Sequence, residues 1–540
     1  MKKFTWMHPF LISIAPVVFL FSRNVHQLTL LTALLPLVFS VLLTGLMLAV
    51  LRLIRKDYSK AAIFTSVIMI AFFSFGHIFG FLWDFGIFYQ MTLLYILLLL
   101  LFALVIIWIG INVWRTQKNL EQASTFLFVV PCFMILFSLF SMLWKEEVKP
   151  KIIAKAKKES TVQLESRWKQ DQELIESIKD REEYPKREPI LKDSASLPDI
   201  YYIILDGYTR ADTLKAIYGF DNSDFINALE ERGFYVPDLS LSNYSTTFLS
   251  LASSMNMHYV NDMVGKLGPE RRWRLPFYNM IRNPKVVRFL KSKGYRYVHF
   301  NTGWGATEKS DIADVSYSYT IPLLHSEFFN TLIRTTVLRL FEPSVAKAHL
   351  FKFEKLREIP HLKGPTFTLA HFLLPHNPYV FDRDGNIRHN IPLDLQFKKK
   401  TGGWRAKDAY IDQLIFTNKM ALELVDYIID QSPFRPIVVL QADHGAASTR
   451  NLVVPDSIKH RERLSILNAY YVTEKCKDEL YPSITPVNTF RLILKSYFDE
   501  NYEKLPDRVF YSWYERPFDL IEATEEVKNS YPPRLEPRLK

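Results

Sequence analysis

The sequence predicts two parts: an N-terminal α-helical membrane domain with five spans, and an extracytoplasmic α/β domain whose mostly parallel sheet is flanked by helices. Apolar residues crowd into the first 145 of the 540 positions, which indicates the membrane domain. From residue 198 onward apolar strands alternate with helical patterns, as in parallel α/β sheets. We therefore expect a membrane domain at 1–145, a juxtamembrane linker at 146–197 and an α/β domain at 198–540.

Five apolar stretches are candidate spans, judged against the ~20 residues that a transmembrane helix needs. They run roughly from Phe10 to Ser22, Leu28 to Leu53, Ala61 to Leu82, Met91 to Trp114 and Ala123 to Trp144. Charged residues are confined to the gaps and the span ends, which argues against buried core helices. The first stretch is short and contains Pro16. A cleaved signal peptide is the alternative for it, but no small-x-small cleavage site follows.

The short loops set the predicted orientation. "RLIRKDYSK" after the second stretch and "WRTQKN" after the fourth are basic, and Lys2 and Lys3 flank the start, which places these segments in the cytoplasm. An odd number of spans then carries everything after Trp144 to the outer side. The net charge of +11 fits a protein at a membrane surface, so we expect a membrane and no nucleic acid as partner.

Apolar runs mark the strands of the α/β domain. They are "DIYYIILDG" from Asp199, "YRYVHFN" from Tyr295, "TFTLAHFLL" from Thr366, "PIVVLQAD" from Pro436 and "LSILNAYYV" from Leu464. Helical patterns lie between them at Phe225 to Arg232, in "NPKVVRFLKSKG", and from Asp408 and from Pro486. The unbroken apolar runs are typical of strands that are covered on both faces of a parallel sheet.

Two of these strands end on possible metal ligands. Asp206 and Gly207 follow the first strand, and Asp443, His444 and Gly445 follow the fourth. If the two strands are parallel neighbours, both carboxylates lie at one edge of the sheet and repel each other unless a cation lies between them. Gly445 would let the backbone turn so that Asp443 and His444 point at one ion. The alternatives are an Asx-turn at Asp206 and a strand-ending turn at Asp443.

The cysteines exclude a thiolate metal site. The chain has two, Cys132 in the fifth stretch and Cys476 in the α/β domain, and no CxxC or Cys/His zinc pattern. Oxygen and imidazole ligands would therefore hold any metal.

A cluster of hydroxyl side chains precedes a helical run in "SNYSTTFLSLASS". Ser245, Thr246 and Thr247 stand at the predicted helix N-terminus, where a hydroxyl is first of all an N-cap. The same position offers backbone N–H groups and a positive dipole end, which suit a phosphate and favour an alkoxide nucleophile.

In combination these motifs resemble the alkaline phosphatase and sulfatase superfamily: Asp-Gly after the first strand, a Thr at the head of a Ser/Ala-rich helix, a "PHxPY" segment and a late "DHG". With the membrane spans in front, the architecture is similar to lipoteichoic acid synthase and to the phosphoethanolamine transferases. The resemblance implies that Asp206, Asp443 and His444 bind one divalent metal ion, Zn or Mn. The hydroxyl of Thr247 would be the fourth ligand and the nucleophile, with Ser245 and Thr246 as rivals.

The resemblance also implies residues that contact the substrate. His376 in "LLPHNPY" resembles the family histidine that contacts the transferred group, and Trp304 in "NTGWG" is a further candidate. His371, inside a predicted strand, is interpreted as a buried structural residue. Three basic residues are weaker candidates, with a solvated basic loop as the alternative: His460, Arg461 and Arg463.

Two departures narrow the implied activity. No Cys-x-Pro-x-Arg or Ser-x-Pro-x-Arg sequence is present, so the formylglycine nucleophile of sulfatases is missing. No Asp-x-x-x-His pair precedes Asp443 in this domain, so a site with one metal remains. The resemblance then implies a transferase of the bacterial inner membrane, which moves a phosphoethanolamine- or phosphoglycerol-type group from a phospholipid donor to an envelope glycan or lipid acceptor through a phospho-threonine intermediate. The alternatives are a membrane-anchored phosphate or sulfate ester hydrolase and a non-catalytic envelope scaffold.

Overall fold

The computed structural model describes residues 5–84, 91–144, 197–269, 271–321, 326–388, 403–450, 454, 456–514 and 516–529. Contacts divide the chain into two compact units. One contains the described residues up to 144 together with Ser326–Pro343, and the other contains the described residues of the α/β domain on both sides of that segment. Nearly all of the predicted linker lies outside the described residues, so the domain limits drawn from the sequence stay predictions.

The first unit is built from apolar helices. They are α1 His8–Asn24, α2 Leu30–Arg55, α3 Tyr58–Asp84, α4 Met91–Arg115 and α5 Glu121–Leu143. In the described part of the chain four of them, α2 to α5, are long and apolar enough to cross a membrane. α1 has 17 residues. At about 1.5 Å per residue it falls short of a ~30 Å hydrocarbon core, so the prediction of five spans is not confirmed.

A segment from the second half of the chain belongs to this helical unit. We call Ser326–Pro343 the insert; it contains a helix, Glu327–Arg334, and a 3₁₀ turn, Val337–Phe341. Phe328 and Leu332 of the insert are buried in a cluster with apolar side chains of α1, α2 and α3. The insert is therefore held by the same kind of apolar packing that joins the helices to one another.

Gly76 of α3 allows the insert to approach closely. Its N–H donates to the Thr335 carbonyl at 3.0 Å, and its carbonyl accepts from Arg339 Nη1 at 3.3 Å. A Cβ atom at Gly76 would lie 1.8 Å from the Arg334 carbonyl oxygen, so a larger residue cannot occupy this position without moving the backbone.

The second unit is organised around a six-stranded sheet with the order β3-β2-β4-β1-β5-β6. The strands are β1 Ile200–Leu205, β2 Arg296–Phe300, β3 Val315–Tyr317, β4 Thr366–Phe372, β5 Ile437–Gln441 and β6 Asn468–Tyr471. All pairs are parallel except β5 with β6. The mostly parallel sheet is confirmed, and β3, a short edge strand with an exposed Ser316, was not predicted. A separate hairpin follows, β7 Phe510–Trp513 and β8 Arg516–Glu522.

Helices cover both faces of this sheet. They are α6 Ala211–Thr213, α7 Ser223–Glu231, α8 Thr247–Asn256, α9 Asn261–Leu267, α10 Leu275–Arg282, α11 Lys285–Ser292, α12 Val345–Leu356, α13 Lys407–Gln431, α14 Asp456–Leu464, α15 Glu474–Lys477, α16 Pro486–Phe498 and α17 Thr524–Asn529. A π-helical turn, Leu214–Tyr218, continues α6, and 3₁₀ turns occur at Ile359–His361 and Gly403–Arg405.

β1 lies inside the sheet between β4 and β5, and all six of its residues are buried. Its side chains alternate between two apolar clusters, with Tyr202 on one face and Tyr201 on the other. This two-sided burial explains why the strand is apolar throughout instead of alternating with polar residues. It also fixes where the strand ends, and therefore where Asp206 begins the loop that follows.

Candidate functional site

Asp206 and Asp443 lie side by side at the carboxyl edge of the sheet. β1 and β5 pair in parallel with Ile204 opposite Gln441, and each aspartate follows two residues later. The prediction that these strands are parallel neighbours is confirmed. One ligand atom from each of Asp206, Asp443 and His444 lies within 4.8 Å of the others.

Several atoms of this cluster are buried and unpaired. Asp206 Oδ1 and Asp443 Oδ2 have no hydrogen-bond partner among the described residues. His444 Nε2 lies 3.6 Å from the first oxygen and 3.3 Å from the second. His444 Nδ1 lies 3.0 Å from the Gly445 carbonyl, which can only accept, so Nδ1 carries the proton and Nε2 presents a lone pair. Two carboxylate oxygens and an imidazole nitrogen therefore converge at one place.

The electrostatics of the cluster favour a cation. Burial raises the pKa of Asp443, and the negative charge of Asp206 raises it further. Burial opposes ionisation of Asp206 as well, but the surrounding histidines, His376 first among them, leave its pKa lowered. Burial lowers the pKa of His444, and Arg463 acts in the same direction. A divalent ion would remove the repulsion between the carboxylates and would use the neutral imidazole as a ligand.

The two glycines of the strand ends serve different purposes. Gly207 has φ of 74°, a conformation that glycine adopts without strain, and its N–H donates to Asp443 Oδ1 at 3.1 Å. The chain bends at Asp443 and His444, but Gly445 does not adopt a left-handed φ, so its backbone conformation does not by itself require glycine. A Cβ atom at Gly445 would instead lie 2.1 Å from the Glu462 carbonyl oxygen and 2.8 Å from that of Ser465. Gly445 is needed because α14 packs directly on the loop after β5.

The three hydroxyl groups at the start of α8 have different surroundings. Ser245 Oγ donates to the Ser512 carbonyl at 3.0 Å and accepts from the Ser512 N–H at 2.8 Å. Thr246 is the N-cap residue, but its hydroxyl is buried, makes no capping bond and has no partner among the described residues. Thr247 Oγ1 lies 3.1 Å from His444 Nε2. Of the three candidates, Thr247 is the one whose hydroxyl contacts the histidine of the cluster.

Arg463 joins the two segments that carry these groups. Its Nε donates to the Ser245 carbonyl at 2.7 Å and its Nη1 to the Gly445 carbonyl at 3.0 Å. The guanidinium carbon also lies 5.7 Å from the centre of the Trp404 ring. Arg463 thus places a positive charge beside the cluster. Burial lowers the pKa of its guanidinium, and the negative charge of Asp443 partly offsets this by raising the pKa.

The interpretation of this segment as a solvated basic loop is wrong. Residues 456–464 form α14, and His460 and Arg461 are buried within it. His460 Nδ1 lies 2.8 Å from Glu526 Oε2, and Arg461 Nη2 lies 3.1 Å from Asp212 Oδ2. Their ion pairs explain the two as structural residues of the helix and leave Arg463 as the one beside the cluster.

His376 stands next to the cluster. Its backbone N–H donates to the Asp206 carbonyl at 3.0 Å, and its ring centre lies 6.2 Å from that of His444. The Trp404 ring lies 4.6 Å from the His376 ring and also covers Gly207, where a Cβ atom would be 2.7 Å from Trp404 Cη2. No sequence pattern pointed to Trp404, because it lies in the 3₁₀ turn Gly403–Arg405, far along the chain from both strand ends.

Trp304 does not contact the metal-ligand candidates directly; His371 lies between its ring and Asp206. It belongs to the loop after β2, and its ring centre is 6.0 Å from that of His371 and 6.2 Å from that of Tyr278. His371 Nε2 in turn lies 3.4 Å from Asp206 Oδ2. The interpretation of His371 as buried holds, since its side chain is about 1% exposed, but its ring points at the acidic cluster.

Among known proteins, this chain is similar to solved structures but matches no family model and no curated sequence. Solved structures do match, including phosphoethanolamine transferases.

The periplasmic domain of phosphoethanolamine transferase EptC from Campylobacter jejuni matches with 14% identity and a TM-score of 0.35, over 57% of this chain and 92% of that one. The integral membrane lipooligosaccharide phosphoethanolamine transferase A of Neisseria meningitidis matches with 10% identity and a TM-score of 0.39, over 92% of this chain and 95% of that one. The EptC domain from Escherichia coli, solved in complex with Zn, has 11% identity and a TM-score of 0.39, over 61% and 94%. Since these TM-scores are below 0.5, the function proposed next rests on the geometry of the site.

Proposed function

We propose that this chain is a membrane-anchored, metal-dependent transferase that moves a phospho-substituent from a phospholipid to an envelope glycan or lipid through a phospho-threonine intermediate. The observation that carries the proposal is the convergence of four buried groups at one sheet edge: the carboxylates of Asp206 and Asp443, the imidazole of His444 and the hydroxyl of Thr247. The sequence motifs that resemble the alkaline phosphatase superfamily contain the same four residues.

The donor set fits one divalent metal ion. Asp206 Oδ1 and Asp443 Oδ2 are buried without a partner, and the lone pair of His444 Nε2 faces both. With Thr247 Oγ1 they form a set of three oxygens and one nitrogen, which suits Zn or Mn. A metal bound there would supply positive charge that lowers the pKa of the Thr247 hydroxyl and offsets the charge of a phosphate.

Thr247 is the nucleophile in this proposal. Its Oγ–phosphorus bond forms as the phosphorus–oxygen bond to the lipid leaving group breaks, and the phospho-substituent stays on the threonine. In the second step an acceptor hydroxyl attacks the phosphorus, and Thr247 Oγ leaves. Two displacements at one residue require no second nucleophile from the protein.

Neighbouring groups assist both displacements. His376 donates a proton to the leaving lipid oxygen and then removes the proton of the incoming acceptor. The positive end of α8 and the guanidinium of Arg463 stabilise the anionic phosphate. Trp404, packed on His376, limits the access of water to this side of the site.

The membrane helices support a lipid donor. α2 to α5 are long and apolar enough to cross a bilayer, and basic loops place the α/β domain on the outer side in the predicted orientation. No nucleotide is available as donor outside the cell. A phospholipid is present in the membrane and carries its own phosphodiester, so it can serve as donor without a nucleotide.

The test is the intact mass of the full-length protein in detergent, after incubation with Mn or Zn and a phospholipid mixture of phosphatidylethanolamine and phosphatidylglycerol. We expect a mass increase equal to the headgroup phosphate, mapped by peptide analysis to Thr247 and missing in Asp443→Ala. Thr246→Ala is the matched control and should still form the adduct.

Other outcomes would favour the alternatives. Metal binding with headgroup release but no adduct and no acceptor product would indicate a hydrolase. Neither metal binding nor an adduct would contradict both enzymes and favour a scaffold.

A further inference from the structure

His371 of β4 faces the metal-ligand candidate Asp206 from the side opposite to His444. In the register of the sheet His371 lies opposite Ile204, two residues before Asp206. Its Nε2 is 3.4 Å from Asp206 Oδ2, whereas Asp206 Oδ1 faces His444. One oxygen of the Asp206 carboxylate therefore faces His371, and the other faces the candidate metal position.

A short chain of hydroxyl groups ends at Nδ1 of the His371 ring. Thr302 Oγ1 lies 2.9 Å from Thr307 Oγ1 and 3.3 Å from the Trp304 carbonyl, which already accepts from the Thr307 N–H at 3.1 Å. Thr307 Oγ1 lies 2.8 Å from His371 Nδ1. When Thr302 donates along the shorter contact, to Thr307, the proton of Thr307 is left to donate to His371 Nδ1. In a neutral His371 whose Nδ1 accepts from Thr307, the proton is on Nε2 and points at Asp206.

The backbone of His371 is fixed as well. Lys352 of α12, buried beneath the sheet edge, donates from Nζ to the His371 carbonyl at 2.8 Å. The His371 ring is also edge-on to Trp304 with centres 6.0 Å apart. Side chain and main chain are both restrained, so the ring has little freedom to turn away from the carboxylate.

We propose that His371 is a positioning residue for the metal site, an inference that rests on the proposed function. Its Nε2–H donates to Asp206 Oδ2 and keeps Oδ1 turned toward Asp443 and His444. The separation of 3.4 Å is longer than the ~2.9 Å of a relaxed N–H···O bond, so a small movement of the carboxylate toward His371 completes it. Partners of this kind commonly orient metal ligands, and their loss costs about 10- to 100-fold in metal affinity.

The experiment compares His371→Leu with His371→Gln. Leucine keeps apolar volume but cannot donate, whereas the glutamine amide nitrogen can reach the place of Nε2. The readout is the dissociation constant for Mn²⁺ and for Zn²⁺ by titration calorimetry on the full chain in detergent, with no substrate present. We expect His371→Leu to bind metal about 10- to 100-fold more weakly than the native chain, and His371→Gln to bind within about threefold of it.

A second matched pair covers the case in which the leucine variant does not fold. Thr307→Val keeps the shape of the side chain and removes the hydroxyl that binds Nδ1, whereas Thr307→Ser keeps the hydroxyl. We expect Thr307→Val to weaken metal binding by several-fold and Thr307→Ser to leave it near the native value. The midpoint of thermal unfolding without metal reports whether each variant is folded.

The outcomes separate this inference from the proposed function. Native binding of one metal that is lost in Asp443→Ala, together with unchanged affinity in His371→Leu or Thr307→Val, overturns the role of His371 and leaves the metal site intact. Equal losses in His371→Leu and His371→Gln also overturn it, because packing would then explain both. A native chain that binds no metal, or an Asp443→Ala variant that binds it as tightly, overturns the proposed function and this inference with it.

Discussion

The two sides of Asp206 differ in the kind of polar atom that faces the carboxylate: an oxygen of a second carboxylate on one side and a ring nitrogen of His371 on the other. On the side facing β5, Asp206 Oδ1 and Asp443 Oδ2 are buried and have no partner among the described residues. On the side facing β4, His371 Nδ1 contacts Thr307 and the His371 carbonyl accepts from Lys352, while His371 Nε2, without a hydrogen-bond partner among the described residues, lies 3.4 Å from Asp206 Oδ2. Both sides are equally buried, so burial alone does not explain the difference.

This difference between the two sides of Asp206 indicates on which side an ion would bind. Buried polar atoms are nearly always hydrogen-bonded, and a group of unpaired ones indicates a missing ion or ligand. On the β4 side the ring nitrogen Nδ1 and the carbonyl of His371 are paired, which restrains the ring beside Asp206. In the proposed function the β5 side is therefore the reactive side, and the β4 side holds Asp206 in place.

The largest expected effect tests the reactive side. Thr247→Ala should lower the release of headgroup from phospholipid by about 10⁴-fold or more, because no oxygen remains to take the phospho-substituent. His376→Ala, beside β4, should lose only about 10²-fold, as expected for a lost general acid. Initial rates in detergent with saturating metal measure both.

Thr246→Ala is the control for this comparison, since its hydroxyl is the neighbour of Thr247 in sequence and is also buried. It should keep most of the native rate. An equal loss in the two threonine variants would break the distinction between the two hydroxyls.

The next effect compares the two glycines. Gly445→Ala should destabilise the chain by about 3 kcal/mol, because the new Cβ would meet the carbonyl oxygens of Glu462 in α14 at 2.1 Å and of Ser465 just after it at 2.8 Å. Gly207→Ala should cost about 1–2 kcal/mol for its φ of 74°, since the contact with the Trp404 side chain can relax. Thermal unfolding without metal would rank them, and the reverse order would show that close backbone packing is not what Gly445 provides.

The smallest effect concerns pH and the support side. Burial lowers the pKa of Lys352 to about 7 from its usual 10.5. Between these values the unfolded chain binds more protons than the folded chain, so the free energy of unfolding rises with pH, by at most about 1.4 kcal/mol per pH unit. From pH 7 to pH 9 the native chain should gain about 2 kcal/mol more than Lys352→Met. Parallel pH dependence of the two unfolding midpoints would mean that Lys352 is charged or solvated in the folded chain.

The sheet could be predicted where the sequence is strongly apolar. β1, β2, β4, β5 and β6 stand out as apolar runs, since burial on both faces leaves little room for polar residues. β3 has three residues, one of them an exposed serine, and its place at the sheet edge depends on β2. A strand defined by its neighbour leaves no pattern of its own.

The site could be predicted only where its residues follow strands. Asp206 and Asp443 come together because parallel strands bring their carboxyl ends to one edge. Arg463 could not be separated from His460 and Arg461, because the helix turns each of these neighbours toward a different partner. Trp404 reaches the site from the 3₁₀ turn Gly403–Arg405, and no local pattern predicts that contact.

The insert has a consequence for how the α/β domain can be produced and studied. A fragment that starts after the membrane helices would still carry residues 326–343, with Phe328 and Leu332 now facing water because the helices that bury them are gone. Such a fragment should self-associate or need detergent even though it contains no spanning helix. Replacing the insert with a short polar linker should restore solubility. The design of a soluble α/β domain therefore has to remove residues 326–343 from the middle of its sequence as well as the N-terminal helices.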